Sequence, residues 1–248
     1  MNFLAIDIGN TSTKAGLFVG DSLRSILRLP TKSTEAGVRR EILIQFQNQV
    51  EAVAIASVAP EIDSEFAEIC EELFGITPFF VTHKTAGISI AYAKPEQVGA
   101  DRLCNAVQGI SEFGAPLIIV DFGTATTLDV LSKNGEYLGG IIAPGIKTAS
   151  ANLAEKASKL DIISFEFPQN IIGKTTMESM QSGIMVGTVE MIDGMVERIW
   201  KELGAKTKVI ATGGLASLIA AHSKKISVVD QEITLKGIRT IYLGHRKS

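Results

Sequence analysis

Phe3-Leu4-Ala5-Ile6 is an unbroken apolar run that stops at Asp7-Ile8-Gly9-Asn10-Thr11, and half a chain later Leu117-Ile118-Ile119-Val120 stops in the same way at Asp121-Phe122-Gly123-Thr124. An apolar run of this kind ending in glycine and hydroxyl residues reads as a buried strand followed by a turn. Each copy is followed by a return strand, over 13–19 and 126–131. A second turn comes next, Gly20-Asp21 and Asn134-Gly135, then a third strand over 23–29 and 137–143. Asn-Gly between apolar segments is the strongest short hairpin signal. Both halves of the chain therefore open with one three-stranded meander, an internal repeat.

Working outward, strands and helices alternate between the two meanders. Helical spacing covers 34–50 and 61–73, with a β-branched strand at 52–58 and strand-like segments at 78–82 and 88–93. A helix over 101–113 ends at Gly114-Ala115-Pro116, the expected boundary between an N-terminal half, 1–115, and a C-terminal half, 116–248. Beyond the second meander the chain reads as mostly helical, with one long helix over 176–203. Gly183, Gly187 and Gly194 lie on it. Each glycine costs about 1 kcal/mol against Ala in a helix, so this stripe predicts close packing against another helix or a second subunit. A buried strand at 208–211, the turn Thr212-Gly213-Gly214 and helices at 215–222 and 235–243 complete the chain.

The 248 residues are 46% hydrophobic, enough for a well-filled core without staples. A formal net charge of -3 without a dense Lys/Arg run gives no footprint for nucleic acid or a membrane surface. No leader and no membrane span are read, so the expected location is cytoplasmic. Cys70 and Cys104 sit among helix formers and read as buried small hydrophobes. Three scattered histidines and no Cys cluster argue against a transition-metal site. Tyr92, His83, Trp200 and His222 each have a plain reading as core or surface residues.

The repeated turns carry the chemistry. Glycine lets backbone N–H groups approach phosphate oxygens, the threonines donate hydrogen bonds, and the carboxylate can hold a cation directly or through water. One Asp-x-Gly turn alone is also ordinary hairpin chemistry, and it is the repetition that favours a nucleotide gripped from two sides. Neither Gly-x-x-x-x-Gly-Lys-Ser/Thr nor Gly-x-Gly-x-x-Gly before a helix occurs, so the common phosphate loops are excluded. Gly213-Gly214 is a third glycine site, readable as a nucleotide contact or as a tight strand-to-helix turn. Asp101-Arg102 follows Gly99-Ala100 at a helix start. Asp101 suits a base for a substrate hydroxyl and Arg102 an anchor for a substrate anion, while a plain N-cap is the competing reading of Asp101.

These residues resemble the type III pantothenate kinase family. Asp7-Ile8-Gly9-Asn10-Thr11 resembles its phosphate-binding turn, Gly99-Ala100-Asp101-Arg102 its substrate motif, and Asp121-Phe122-Gly123-Thr124-Ala125-Thr126-Thr127 its second nucleotide turn. Gly139-Gly140-Ile141-Ile142-Ala143-Pro144-Gly145, Met180-Gln181-Ser182-Gly183 and Ala211-Thr212-Gly213-Gly214-Leu215 extend the likeness over nearly the whole chain. The resemblance implies an α/β fold of two actin-like, ribonuclease-H-type duplicated domains, a homodimer, and ATP-dependent phosphorylation of the primary alcohol of pantothenate, opening coenzyme A synthesis. It implies ATP with Mg2+ and a monovalent cation, K+ or NH4+. It makes Asp101 the general base, with Gly99, Ala100, Arg102, Tyr92 and Thr176 around pantothenate. It gives Asp7, Ile8, Gly9, Asn10, Thr11, Ser12, Thr13 and Lys14 to the nucleotide phosphates, Thr124 to ATP and Asp121 to the monovalent cation. In Gly173-Lys174-Thr175-Thr176 the family commonly has Asn before the matched threonine, so a register slip would substitute Thr175 for Thr176.

Two other functions stay in view. One is a regulatory or accessory relative that keeps the nucleotide fold without turnover, against which the acidic set Asp7, Asp101 and Asp121 speaks. The other is the same fold acting on a sugar or on polyphosphate, since one fold hosts many functions.

Overall fold

The computed structural model describes residues 1–31, 36–157 and 160–246. The first meander forms β1 (Asn2–Ile8), β2 (Ser12–Val19) and β3 (Ser22–Pro30). After α1 (Ala36–Leu43) come β4 (Ala52–Ser57), α2 (Asp63–Phe74), β5 (Phe79–Phe80) and α3 (Ala100–Phe113). The second meander is β6 (Leu117–Phe122), β7 (Ala125–Leu131) and β8 (Tyr137–Pro144), followed by α4 (Ile146–Lys156). Then come α5 (Thr176–Gln181), α6 (Gly187–Leu203), β9 (Lys208–Thr212), α7 (Ala216–Ala220), β10 (Val228–Val229) and α8 (Ile233–His245).

The repeat read from the turns is a repeat of whole sheets. One sheet runs β3-β2-β1-β4-β5 and the other β10-β9-β6-β7-β8, so each meander is extended on its first strand's free side by two later strands. In both sheets the meander's first strand pairs antiparallel with the second and parallel with the incoming one, β4 or β9. A strand flanked on both sides and covered on both faces reads as continuously apolar, which is why β1 and β6 carry hydrophobic side chains at almost every position.

The chain separates into two compact units. The first holds Met1–Gly114, Gly135–Tyr137 and the stretch from Glu232 onward; the second holds Ala115–Asn134 and Leu138–Gln231. In the first, Leu4, Ile6, Ile8, Val53 and Ile55 pack with Leu43 of α1 and with Phe66, Ile69 and Leu73 of α2. Phe3, whose Cβ points to the opposite face of β1, meets the ring of Tyr242 on α8 at 5.0 Å. In the second unit, Ile118, Val120, Phe122, Leu128 and Val130 form one sheet face against Val189, Ile192, Val196 and Ile199. Those four recur at three- and four-residue intervals, the apolar stripe of an amphipathic helix.

Several expectations need correction. The helix expected over 34–50 begins outside the described residues, and α1 gives way after Leu43 to a 3-10 turn and then to Asn48 at φ 64, a left-handed conformation no helix continues through. The strand expected over 88–93 is a single bridge, Ile90 to Tyr137. Its side chains are exposed or half-buried, so no apolar face holds a longer ladder. The stretch 160–175, expected within a mostly helical tail, is irregular. It is held by side chains: Ile163 N–H donates to Ser150 Oγ, and Gln181 Nε2 to Ser164 O at 3.1 Å. The long helix does run from Thr176 to Leu203, through a π-helical turn at Ser182–Val186. A Cβ built on Gly183 or Gly194 meets no described atom within 4 Å, so the close helix packing expected at these two glycines is not seen among the described residues.

Candidate functional site

In the first unit, the end of β1 and the start of α3 collect the charged groups. Asp7 closes β1 opposite Lys14 on β2, and Lys14 Nζ lies 3.7 Å from Asp7 Oδ2. Asp7 is only 8% exposed. Burial raises its carboxyl to about 6, an effect that Lys14 opposes and Asp101 reinforces.

The turn after Asp7 is braced from beneath. Gly9 N–H donates to Ser12 O, and a side chain at Gly9 would place its Cβ 2.9 Å from that same oxygen. Thr13, fully buried, shares a 3.0 Å hydrogen bond with Thr31, whose hydroxyl donates to Gly9 O at 2.7 Å. Arg39, ion-paired with Glu65, donates to Thr31 O in turn. Asn10, Thr11 and Ser12 are exposed on the turn. Ile8 and Thr13 point inward, so any ligand contact from Ile8 is through its backbone. The bracing role of Thr31 went unread, because a hydroxyl one residue past a strand carries no local signal of its partner eighteen residues back.

The N-terminus of α3 presents the second carboxylate. Gly99, not Asp101, is the N-cap residue. Asp101 is the second residue of the helix and accepts from Arg102 N–H at 2.8 Å, so the N-cap reading of Asp101 is replaced by that of a first-turn acid. A Cβ on Gly99 would fall 2.5 Å from Asp101 Oδ1, which explains the glycine by close approach. Burial raises the Asp101 carboxyl, while the Arg102 N–H, the Arg102 charge and Lys14 hold it down. A carboxylate raised in this way is a stronger proton acceptor. Arg102 is buried and lies over the Tyr137 ring at 5.8 Å. Ser57, Val58, Thr82, Glu96, Gly99 and Ala100 line a cleft of about 570 Å³ beside this helix start. Tyr92 is half-buried in the loop before it. Cys104, one turn along α3, is wholly buried, as is Cys70.

In the second unit, Asp121 sits at the end of β6, opposite Thr127 and level with Thr212 of β9. Gly213, at φ 93, would bring a Cβ to 2.5 Å from Asp121 Oδ1, and a Cβ on Gly123 would lie 3.4 Å from it. Asp121 Oδ1 thus lies in a notch between Gly123 and Gly213, neither of which brings a Cβ to it. Thr124 is exposed and its carbonyl accepts from Gly145 N–H and Thr148 Oγ1. Further along, Thr175 caps α5 in a capping box with Glu178, leaving Thr176 exposed as the first helical residue. The Thr175 hydroxyl is thus committed to Glu178 N–H, which favours Thr176 over Thr175 as a ligand contact.

Among the described residues no group of three or more His, Cys, Asp or Glu is placed to hold a metal ion. The Asp121 carboxylate, with Thr127 and Thr212 at neighbouring register positions, offers oxygen donors of the kind a hard cation takes. It is not a cage that would hold Mg2+ without phosphate.

A family model for type III pantothenate kinase matches residues 3–198. The type III pantothenate kinase of Myxococcus xanthus is 43% identical over 248 residues, covering 96% of this chain and 97% of its own. Among solved structures, a Baf-family protein from Campylobacter jejuni matches with a TM-score of 0.66 at 19% identity, covering 99% of this chain and all of that one. The ROK hexokinase of Thermus thermophilus matches with a TM-score of 0.52 at 14% identity over the full length of both. At such identities the two structures speak for the fold alone, the actin-like one in which sugar kinases are built.

Proposed function

The chain belongs to the type III pantothenate kinase family and phosphorylates pantothenate with ATP to 4'-phosphopantothenate, the first step of coenzyme A synthesis; from that premise we propose how its residues divide the work. Asp101 is the general base. It takes the proton of the primary hydroxyl as that oxygen forms a bond to the γ-phosphorus and the bond to the β–γ bridging oxygen breaks, releasing ADP. Arg102 binds the pantothenate carboxylate, with Gly99, Ala100, Tyr92 and Thr176 shaping the pocket. The turn from Asp7 through Lys14 and the hydroxyl of Thr124 hold the ATP phosphates. Asp121 holds the monovalent cation, K+ or NH4+, in the notch between Gly123 and Gly213, while Mg2+ arrives with ATP. Such a transfer is catalysed by positioning and charge neutralisation, since little covalent work falls to the protein. The observation that carries this reading is the pair of carboxylates, Asp7 and Asp101, gathered with Lys14 at the end of β1 and both raised by burial.

We further propose a cytoplasmic homodimer, each chain built of duplicated halves that divide near residue 115, with the stretch from Glu232 onward returning to the first. Gly183 and Gly194, exposed along the run from Thr176 to Leu203, support the dimer, as do Ile142, Leu153 and Ile172, large apolar side chains left exposed on the second unit. Light scattering that returned a monomer mass at micromolar concentration would remove it. No helix among the described residues is long and apolar enough to cross a membrane.

ADP release by purified protein with Mg-ATP is expected to depend on pantothenate, and to appear with potassium or ammonium but not with sodium. Release that ignored pantothenate would overturn the substrate. Equal rates in sodium would overturn the cation site at Asp121.

Asp7 carries a pH signature of its own. Its carboxyl binds a proton more tightly folded than unfolded, so between about pH 4 and 6 the native state holds more protons and stability falls as pH rises. Above pH 6 the full cost of an ionised buried carboxylate stands, about 3 kcal/mol from the shift, in which the attraction of Lys14 is already counted; a buried amide, itself polar, recovers part of it. Asp7→Asn is therefore expected to raise unfolding stability by about 2 kcal/mol at pH 7.5 while lowering kcat/KM. At pH 4 the gain should vanish, which denaturant melts at the two pH values would read. An equal gain at both would exclude titration as its source.

A further inference from the structure

The base sits on α3, and α3 is registered by α8, the helix that returns to the first unit from the far end of the chain. Asn105 lies four residues after Asp101, one turn along the same helix face. It is 1% exposed, and its Oδ1 accepts from the hydroxyl of Thr234, itself 5% exposed, at 2.8 Å. Further along α3, Thr240 Oγ1 donates to Gln108 Oε1 at 2.7 Å. Between these two bonds Gly237 rests against the backbone of Cys104. Any Cβ there would overlap the Cys104 carbonyl, so the two helices approach as closely as backbones allow. A hydrogen bond between two buried side chains 129 residues apart fixes rotation as well as separation. It sets which way the first turn of α3 points, and that turn carries Asp101.

We propose that Thr234 is a positioning residue for phosphoryl transfer: through Asn105 it holds the first turn of α3 at the rotation that aims the Asp101 carboxylate at the substrate hydroxyl. This rests on Asp101 being the base. Without the bond, α3 keeps its apolar packing, its bond to Thr240 and the Lys236–Glu112 ion pair farther along, but its N-terminal turn gains rotational freedom where the base is. A displacement of about 1 Å at a reacting group lowers turnover as much as a hundredfold, so even a partial loosening is visible.

The test compares Thr234→Val, which keeps the shape and removes the hydroxyl, with Thr234→Ser, which keeps the hydroxyl, and with Thr240→Val. The last breaks the same kind of bond away from Asp101. Expected is a loss in kcat of about tenfold or more for Thr234→Val with KM for ATP nearly unchanged, and a displaced acid limb in its pH–rate profile. Thr234→Ser should restore both. Thr240→Val should match Thr234→Val in lost thermal stability and keep the wild-type kcat and profile. If both valine variants lose stability and neither loses kcat, the bond is structural and the inference falls. Thr234→Ala removes the same hydroxyl in a residue that favours helix, and it decides the matter by the same criteria should Thr234→Val not fold. Asp101→Asn in the same series separates the two readings. Full activity there removes the base, whereas its loss beside an active Thr234→Val removes only the positioning role.

Discussion

Asp101→Asn is expected to lower kcat by about three orders of magnitude while leaving the protein folded and its KM for pantothenate within a few-fold of wild type. The amide is nearly the size of the carboxylate, and its oxygen still accepts from the Arg102 N–H, so the first turn of α3 keeps its local bond. What disappears is the proton acceptor. Removing the charge also relieves Asp7, whose carboxyl the Asp101 charge pushes upward, so the melting temperature should hold or rise. A steady-state assay beside a thermal melt measures both. More than about a tenth of wild-type kcat in a well-folded variant would falsify the assignment of the base.

The largest effect on stability is expected at Gly237. Ala in place of Gly within a helix ordinarily stabilises by about 1 kcal/mol, so the intrinsic term favours the substitution. Packing decides the opposite sign. The added carbon would overlap the Cys104 carbonyl of α3, and backbone atoms of a packed helix cannot swing aside as a side-chain end does. Overpacking of this kind costs roughly 3 kcal/mol or more, and relief requires α8 to move off α3 and off β1. In a protein of this size Gly237→Ala should melt about 6–12 °C lower. A variant that melts at or above the wild-type temperature would show that the helices separate freely. Ala at Gly244, where a Cβ meets nothing within 4 Å, is the control and should not lower it.

Much of this fold could be read from residues because its signals are local. Apolar run, carboxylate and glycine turn occur within nine residues, and the second copy makes the pattern a plan for two sheets. What eluded reading was set at a distance. The two-residue strand β10 exists only because a longer parallel neighbour, β9, offers its edge. The segment around Ile90 is apolar enough to suggest a strand but has no sheet to join beyond one bridge. The types of the site residues were apparent, but not their states. Nothing near Asp7 in the chain says that it is buried, or that Thr31 and Arg39 hold the turn behind it. The same limit hid the N-cap. Glycine and aspartate both suit a helix start, and only the fold of Asp101 back onto Arg102 N–H decides between them.

The return of α8 to the first unit has a consequence in time. Ribosomes add roughly 5–20 residues each second, so the strands of the first sheet and every proposed ligand on 7–14 and 92–102 emerge about ten seconds ahead of the helix that covers Phe3. Until Tyr242 arrives, one face of β1 has no permanent cover from α8, and the polar tie waiting at Asn105 has no Thr234 to meet. This late helix thus completes the first unit to be started. A premature stop between residues 214 and 232 would leave every proposed catalytic and ligand-binding residue in the polypeptide and still yield an inactive chain, so nonsense lesions in that stretch should resemble active-site lesions in a growing cell.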